Sequence, residues 1–304
     1  MNLTFGPIPS RRFGMSLGID LSPNLKQCNF DCLYCELKPA KTINQQINSP
    51  AVKDIVLEVK KSLLNHPSIN VITFTANGEP TLYPYLSELI DEIDKIKGEA
   101  KTLILSNGGN IYDKGIQQVL SKLDITKLSL DCISDRCFKK LDRINDTIDC
   151  KQIVSGMIEF RKLYDKELIT ETLFVKDLND NDDEINLIND ALQQIKPNRV
   201  DIGTIDRPPA YDVKPIDFKK LEYIANKLLN LPVNITYKNR PQSIQSFNEE
   251  EIINLLKMRP LTKEDIDNTF DKDSLIKLKN LVQNNIIFIK KSAGVEFFKF
   301  NNIY

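Results

Sequence analysis

Three cysteines fall within eight residues in the run Cys28-Asn-Phe-Asp-Cys32-Leu-Tyr-Cys35, at C-x3-C-x2-C spacing. Thiolates on one tight loop can hold three corners of a metal site, and they leave the fourth without a protein ligand. Iron–sulfur clusters and zinc both use closely spaced cysteines. A closed zinc site needs a fourth ligand, and the one histidine, His66, stands before Pro67 at the far end of its βα unit. Iron–sulfur ligation with one iron open to an outside ligand is the expected chemistry. Cys132, Cys137 and Cys150 are a second set of thiols, suited either to an auxiliary cluster or to small buried apolar positions. Clustering and a reducing compartment argue against disulfides.

A loop of this kind has to be held by regular elements. Segments rich in Val, Ile, Leu and Thr alternate with helix-period stretches from about residue 15 to about residue 238, the signature of βα units and a parallel sheet. Strands are expected near Ser16–Leu21, Asn70–Ala76, Thr102–Ser106, Ile125–Asp131, Ile169–Val175 and Val200–Ile205. The intervening helices show apolar stripes, Val52, Ile55, Val56, Val59 and Leu63 in one, Ile185, Ile188, Leu192 and Ile195 in another. The pattern alone fits barrel-like closure and an open doubly wound sheet equally, and in both of them ligands collect at the C-terminal strand ends. The cysteine loop follows the first strand. Asn77-Gly78-Glu79-Pro80, Ser106-Asn107 and Asp131 follow later ones, so all of these meet at one edge.

Glycine in Asn77-Gly78-Glu79-Pro80 lets the backbone approach a ligand closely, carbonyls and a carboxylate accept from a cation, and proline holds the turn. Arg11, Arg12 and Arg207 are candidate anchors for an anionic group. One histidine in that position rules out a Ser–His–Asp arrangement, and no P-loop lysine motif occurs. The formal net charge is -1, with 27% charged and 41% apolar residues, which makes no global electrostatic case for nucleic acid. No window of the sequence approaches a membrane span and the first thirteen residues lack a signal-peptide core, so a cytoplasmic location is expected and a membrane partner is not.

The cysteine spacing, with Tyr34 just before the third cysteine on the loop after the first strand, resembles the radical S-adenosylmethionine (radical SAM) superfamily. That resemblance implies a partial (β/α)6 barrel, α/β in class, with a [4Fe–4S] cluster on Cys28, Cys32 and Cys35. It implies S-adenosylmethionine on the open iron, reductive cleavage to a 5′-deoxyadenosyl radical, and an electron donor of flavodoxin or ferredoxin type. Asn77-Gly78-Glu79-Pro80 resembles the superfamily's GGEP element, which binds the methionyl ammonium, with Asn in place of the first Gly. Ser106, Asn107, Ser129 and Asp131 match positions that contact the ribose or carboxylate of the cofactor in similar enzymes, and Arg143 is placed to pair with that carboxylate.

Phe5-Gly-Pro-Ile-Pro-Ser-Arg-Arg-Phe-Gly14, Asp31-Cys-Leu-Tyr-Cys-Glu36 and Ile205-Asp-Arg-Pro-Pro209 together resemble the wybutosine-biosynthesis-like Fe–S oxidoreductases. That group's label implies a modified guanine in transfer RNA, yet wybutosine enzymes carry a further cysteine set upstream, and no cysteine precedes Cys28. The chain divides into residues 1–241, the barrel, and 242–304, where Glu249–Met258, a helix capped by Thr262 that runs to Thr269, Asp273–Asn284 and a hairpin of Ile286–Lys290 and Glu296–Phe300 read as a winged helix. From Gln245 to Tyr304 there are nine Lys or Arg and nine Asp or Glu, so any phosphate contact there is local, through Lys277, Lys279, Lys290, Lys291 and Lys299. An RNA-modifying enzyme is the leading expectation. A radical SAM enzyme acting on a protein or peptide, and a non-enzymatic iron–sulfur sensor that regulates nucleic-acid binding through the winged helix, are the alternatives. The Gly78-Glu79-Pro80 element, which a sensor does not need, favours the enzyme.

Overall fold

A computed structural model describes residues 3–10, 12–235, 244–258, 260–292 and 295–301. Arg11, the boundary at 241/242 and the Ala293-Gly294 turn lie outside the described residues. Eight strands form one sheet in sequential order: β1 (Thr4–Ser10), β2 (Gly14–Asp20), β3 (Val71–Thr75), β4 (Lys101–Ser106), β5 (Ile125–Ser129), β6 (Glu167–Phe174), β7 (Arg199–Thr204) and β8 (Val233–Ile235). β2 to β8 pair in parallel, and β1 returns antiparallel on β2. The six expected strands are β2 to β7, with β1 and β8 added. Two prolines hide β1 from a pattern search, and at a sheet edge their missing N–H groups cost no ladder bond.

Side chains from β1 through β7 line a single cavity of about 990 Å³, which a flat sheet cannot surround. β1 and β8 stand at opposite ends of the strand order, so the sheet curls into a partial barrel. Leu17, Ile19, Ile72, Phe74, Ile104 and Leu128 are fully buried in the strands, each worth roughly 1.5–3 kcal/mol of transfer free energy. The helices cover the outer face with their apolar stripes. In Val52–Asn65 the buried positions are Val52, Ile55, Val56 and Val59. Asp182–Ile195 starts at Asn181, whose side chain accepts from the Glu184 N–H at 3.0 Å.

The C-terminal segment has its own core of Phe247, Ile252, Leu255, Leu256, Ile266 and Phe270. Its helices span Glu249–Met258, Lys263–Thr269 and Lys272–Gln283, and β9 (Leu261–Thr262), β10 (Ile287–Ser292) and β11 (Val295–Phe300) form a sheet in the order β10-β11-β9. Thr262 caps the middle helix in a reciprocal box with Asp265. Ile8 of β1 belongs to this second core, so the segment is seated on the barrel's edge strand. Leu255, Lys257, Thr269 and Phe300 join the wall of the barrel cavity. Lys277 pairs with Asp273 at 2.5 Å and donates to the Phe247 carbonyl at 3.1 Å, which engages one of the expected phosphate-contacting lysines. Among the described residues no helix is long and apolar enough to cross a membrane.

Candidate active site

The cysteine loop leaves β2 and is tied by backbone bonds to three other segments before it reaches the helix at Val52. The Asp31 and Leu33 N–H groups donate to the Asp142 and Leu141 carbonyls at 3.1 and 2.9 Å. The Cys35 carbonyl accepts from the Ala210 N–H at 2.8 Å. Gln27 bonds in both directions, its N–H to the Asn77 carbonyl at 2.8 Å and its carbonyl from the Glu79 N–H at 2.9 Å. Gly78 sits between those contacts at φ +140°, where an added Cβ would lie 1.9 Å from the Gln27 carbonyl oxygen. This backbone approach is the reason for glycine at 78.

Cys28 receives two N–H contacts on its sulfur, from the Phe30 backbone at 3.4 Å and Asn107 Nδ2 at 3.6 Å. Cys32 is buried, whereas Cys28 and Cys35 are half-buried, and all three are free. Burial pushes the Cys28 thiol up to about 12, so the thiolate form requires a positive partner at the sulfur.

Glu79 closes the ring around this loop. Its Oε1 accepts from the Thr81 N–H, the Thr81 hydroxyl and the Ser106 hydroxyl at 3.0, 2.7 and 2.7 Å, and its Oε2 from the Asn107 N–H at 2.8 Å. Pro80 starts a short 3₁₀ turn, Pro80–Leu82, for which Glu79 is the cap. Ser106 and Asn107 are thus brought to the turn and, through Asn107, to Cys28. Ser129 ends β5 in register with Glu171.

Asp131 is joined to the cysteine loop through Tyr34. Its carboxylate accepts from the Tyr34 hydroxyl and from the Leu173 N–H at 2.6 Å. Burial raises it to about 7, and burial together with the Asp131 charge raises Asp142, which contacts the Cys32 thiol. Arg143, left-handed at φ 48°, pairs with Asp31 at 3.3 Å and stacks on Tyr211 at 4.9 Å. Lys26 and Tyr211 complete the set on Asp31, at 3.1 and 2.5 Å. The Arg143 guanidinium therefore braces the cysteine loop through Asp31.

Deeper in the cavity Arg12 pairs with Glu171 and Asp201 at 3.2 and 2.8 Å, and Lys127 with the same two at 2.5 and 3.3 Å. Arg207 pairs with Glu36 at 2.5 Å at the cavity wall. Arg12 and Arg207 do reach the cavity, each already bound to carboxylates.

A model of the radical SAM superfamily matches residues 25–189, the stretch that carries the cysteine loop, Asn77-Gly78-Glu79-Pro80, Ser106-Asn107 and Asp131. The chain belongs to the radical SAM superfamily. It is 38% identical over 299 residues to a UPF0026 protein of Helicobacter pylori, covering 97% of each chain. It is 31% identical over 225 residues to an S-adenosylmethionine-dependent nucleotide dehydratase of Flammeovirga pacifica, covering 70% of each. Among solved structures the fold resembles Streptococcus suis SuiB bound to S-adenosylmethionine, with a TM-score of 0.56 and 17% identity over 73% of this chain and 50% of that one. As a member of this superfamily the chain is an enzyme whose family uses a [4Fe–4S] cluster and S-adenosylmethionine.

The donor set of this radical SAM chain fits such a cluster. A single tetrahedral ion with metal–sulfur bonds of about 2.3 Å sets its sulfurs about 3.8 Å apart. Among the described residues, Cys28, Cys32 and Cys35 do not form a set within 4.8 Å of one another. Three free thiols on one loop with no fourth protein ligand among the described residues suit a cluster that leaves one iron to an outside ligand. His66 takes no part, since its Nε2 lies 3.5 Å from Glu251 in the C-terminal segment.

The alternative of an auxiliary cluster on Cys132, Cys137 and Cys150 is overturned. Cys132 and Cys137 form a disulfide with a Cα separation of 5.4 Å, within the disulfide range. The Cys150 thiol donates to Asp135 Oδ1 at 2.9 Å instead. The expectation that disulfides are absent fails at this pair, because the chain bends at Ser134 into the short helix Asp135–Cys137 and so brings their Cα atoms into range. Sequence reading also missed roles for Asp20, Gln27, Asp142 and Tyr211. Asp31 had a signal, its place inside the quoted cysteine motif.

Proposed function

We propose that Cys28, Cys32 and Cys35 hold the [4Fe–4S] cluster and that Tyr34, Asn77, Gly78, Glu79, Pro80, Ser106, Asn107, Ser129 and Asp131 form the S-adenosylmethionine cleft beside it, with Arg143 supporting the loop. When bound, the cluster and S-adenosylmethionine supply a 5′-deoxyadenosyl radical from an electron delivered by a flavodoxin- or ferredoxin-type donor. The chain's own residues orient the cofactor, surround the cavity and keep water from it. The observation that carries this reading is the two-way bond of Gln27 to Asn77 and Glu79, which fixes the cysteine loop and the ammonium-binding turn as one piece. Anaerobic reconstitution with reductant and S-adenosylmethionine tests it. Formation of 5′-deoxyadenosine that disappears in Cys32→Ala supports the reading, and none from a fully loaded protein refutes it.

The substrate enters the cavity shared by barrel and C-terminal segment, which we read as a barrel of residues 1–241 and a winged helix of residues 242–304. One observation favours an RNA substrate for the winged helix. Burial and the neighbouring charge of Lys290 lower the Lys299 ammonium, Glu36 opposes them and Lys38 adds to them, so three cations and one carboxylate meet beside the cysteine loop, and a phosphate backbone would neutralise the excess positive charge. Retention of transfer RNA at low salt that falls steeply at moderate salt tests this, and absence of retention at low salt refutes it.

A further inference from the structure

The motif carboxylate expected to take the methionyl ammonium is already occupied. Glu79 accepts four donors from Thr81, Ser106 and Asn107, three of them on Oε1 and one on Oε2, which saturates Oε1 and leaves one lone pair of Oε2 for any further donor. A second carboxylate beside the same turn is in the opposite condition. Asp20, the last residue of β2, is 1% exposed and lines the cavity. Its Oδ1 accepts from the Ser22 and Asn77 N–H groups at 2.9 and 2.8 Å. Its Oδ2 is buried with no hydrogen-bond partner, and no Lys or Arg among the described residues pairs with it.

A buried carboxylate left without a counter-charge is costly, and an orphaned buried oxygen calls for an explanation. The bond from the Asn77 N–H places Asp20 directly under the turn at which S-adenosylmethionine's amino-acid end is expected, and that end carries an ammonium with three donors. We propose that Asp20 is a cofactor-binding residue whose Oδ2 accepts from the S-adenosylmethionine ammonium, while Glu79 holds the turn together. The inference rests on the S-adenosylmethionine cleft proposed above. It assigns to an aspartate outside the recognised motifs, whose Oδ2 has no partner, the main charge recognition of a group otherwise expected to fall to the more heavily bonded motif glutamate.

Asp20→Asn keeps an oxygen for the two N–H groups and puts an amide where the ammonium would bind, so it separates recognition from loop structure. The cluster-loaded protein is titrated with S-adenosylmethionine and, separately, with 5′-methylthioadenosine, which lacks the amino-acid group. The substitution is expected to raise the Kd for S-adenosylmethionine at least about tenfold. The Kd for 5′-methylthioadenosine, the iron content and the melting temperature without ligand should stay at wild-type values or, for the last, rise. An S-adenosylmethionine Kd within twofold of wild type overturns the proposal, and so does equal weakening of both ligands, which would mark Asp20 as a loop brace. If the wild-type holoprotein itself binds 5′-methylthioadenosine but not S-adenosylmethionine, the proposed cleft fails first and this assignment falls with it.

Discussion

Gly78→Ala is the sharpest perturbation of the site, because its cost can be worked from two contacts. The new Cβ would stand 1.9 Å from the Gln27 carbonyl oxygen, whereas real Cβ atoms essentially never approach within 3.0 Å, so the turn and the cysteine loop must part by about 1.1 Å, from 3.0 minus 1.9. The backbone at φ +140° adds strain of roughly 1–2 kcal/mol for an L-residue. Parting the strands weakens the bonds from Gln27 to Asn77 and from Glu79 to Gln27, at about 1 kcal/mol each. The sum, roughly 3 kcal/mol, lowers the melting temperature by about 5 °C or more in a chain of this size. Displacement by about 1 Å of the turn that orients the cofactor costs about a hundredfold in rate. Differential scanning calorimetry of the anaerobic holoprotein and initial rates of 5′-deoxyadenosine release measure both effects. Melting within 1 °C of wild type together with a rate within threefold would refute the reasoning, since it would mean that the close approach at Gln27 does not hold the two loops together.

Glu79→Ala leaves the Thr81, Ser106 and Asn107 donors without their acceptor and should destabilise by roughly 3 kcal/mol or more, read as a shift of the denaturant midpoint; an unchanged midpoint contradicts the assigned network. Iron quantitation should give about four irons per wild-type chain, fewer in Cys28→Ala, Cys32→Ala or Cys35→Ala and the same number in Cys132→Ser, whereas a loss of half the iron in Cys132→Ser would restore the auxiliary cluster. The Asp131 carboxyl is raised by burial from 3.8 to about 7, so its contribution to stability is complete below about pH 4 and is lost as pH rises through about 7. The melting temperature of the wild-type protein should therefore fall between about pH 4 and pH 7, and Asp131→Asn should flatten that slope; parallel slopes for the two proteins would exclude Asp131 as its source.

The parts of this molecule that follow from periodicity could be read before any coordinates. β2 to β7 announce themselves because a strand covered on both faces is an unbroken apolar run, such as Val71-Ile-Thr-Phe74. The cysteine spacing announces a cluster because three thiols so close together have few other uses. β1 stayed hidden behind its prolines, and β8 is three residues long, too short for any period. The site was legible where it consists of motifs and illegible where it consists of partners. Glu79 looked like a ligand-binding carboxylate, but Ser106 and Asn107, distant in sequence, take up its oxygens. Arg143 looked free for a cofactor carboxylate, but Asp31 and Tyr211 hold it. Asp20 carried no sequence signal, since an aspartate at a strand end is ordinary and its orphaned oxygen exists only in three dimensions.

The two bonds through Gln27 have a meaning for damage as well as for assembly. Iron–sulfur clusters are destroyed by oxygen, and a protein that lost its cluster yet still captured S-adenosylmethionine would sequester a shared metabolite to no purpose. Here the loop proposed to carry the cluster is hydrogen-bonded, backbone to backbone, to the turn proposed to receive the amino acid. A shift on one side must be met on the other, so under the proposed assignment the loss of the cluster and the loss of S-adenosylmethionine binding would be one event.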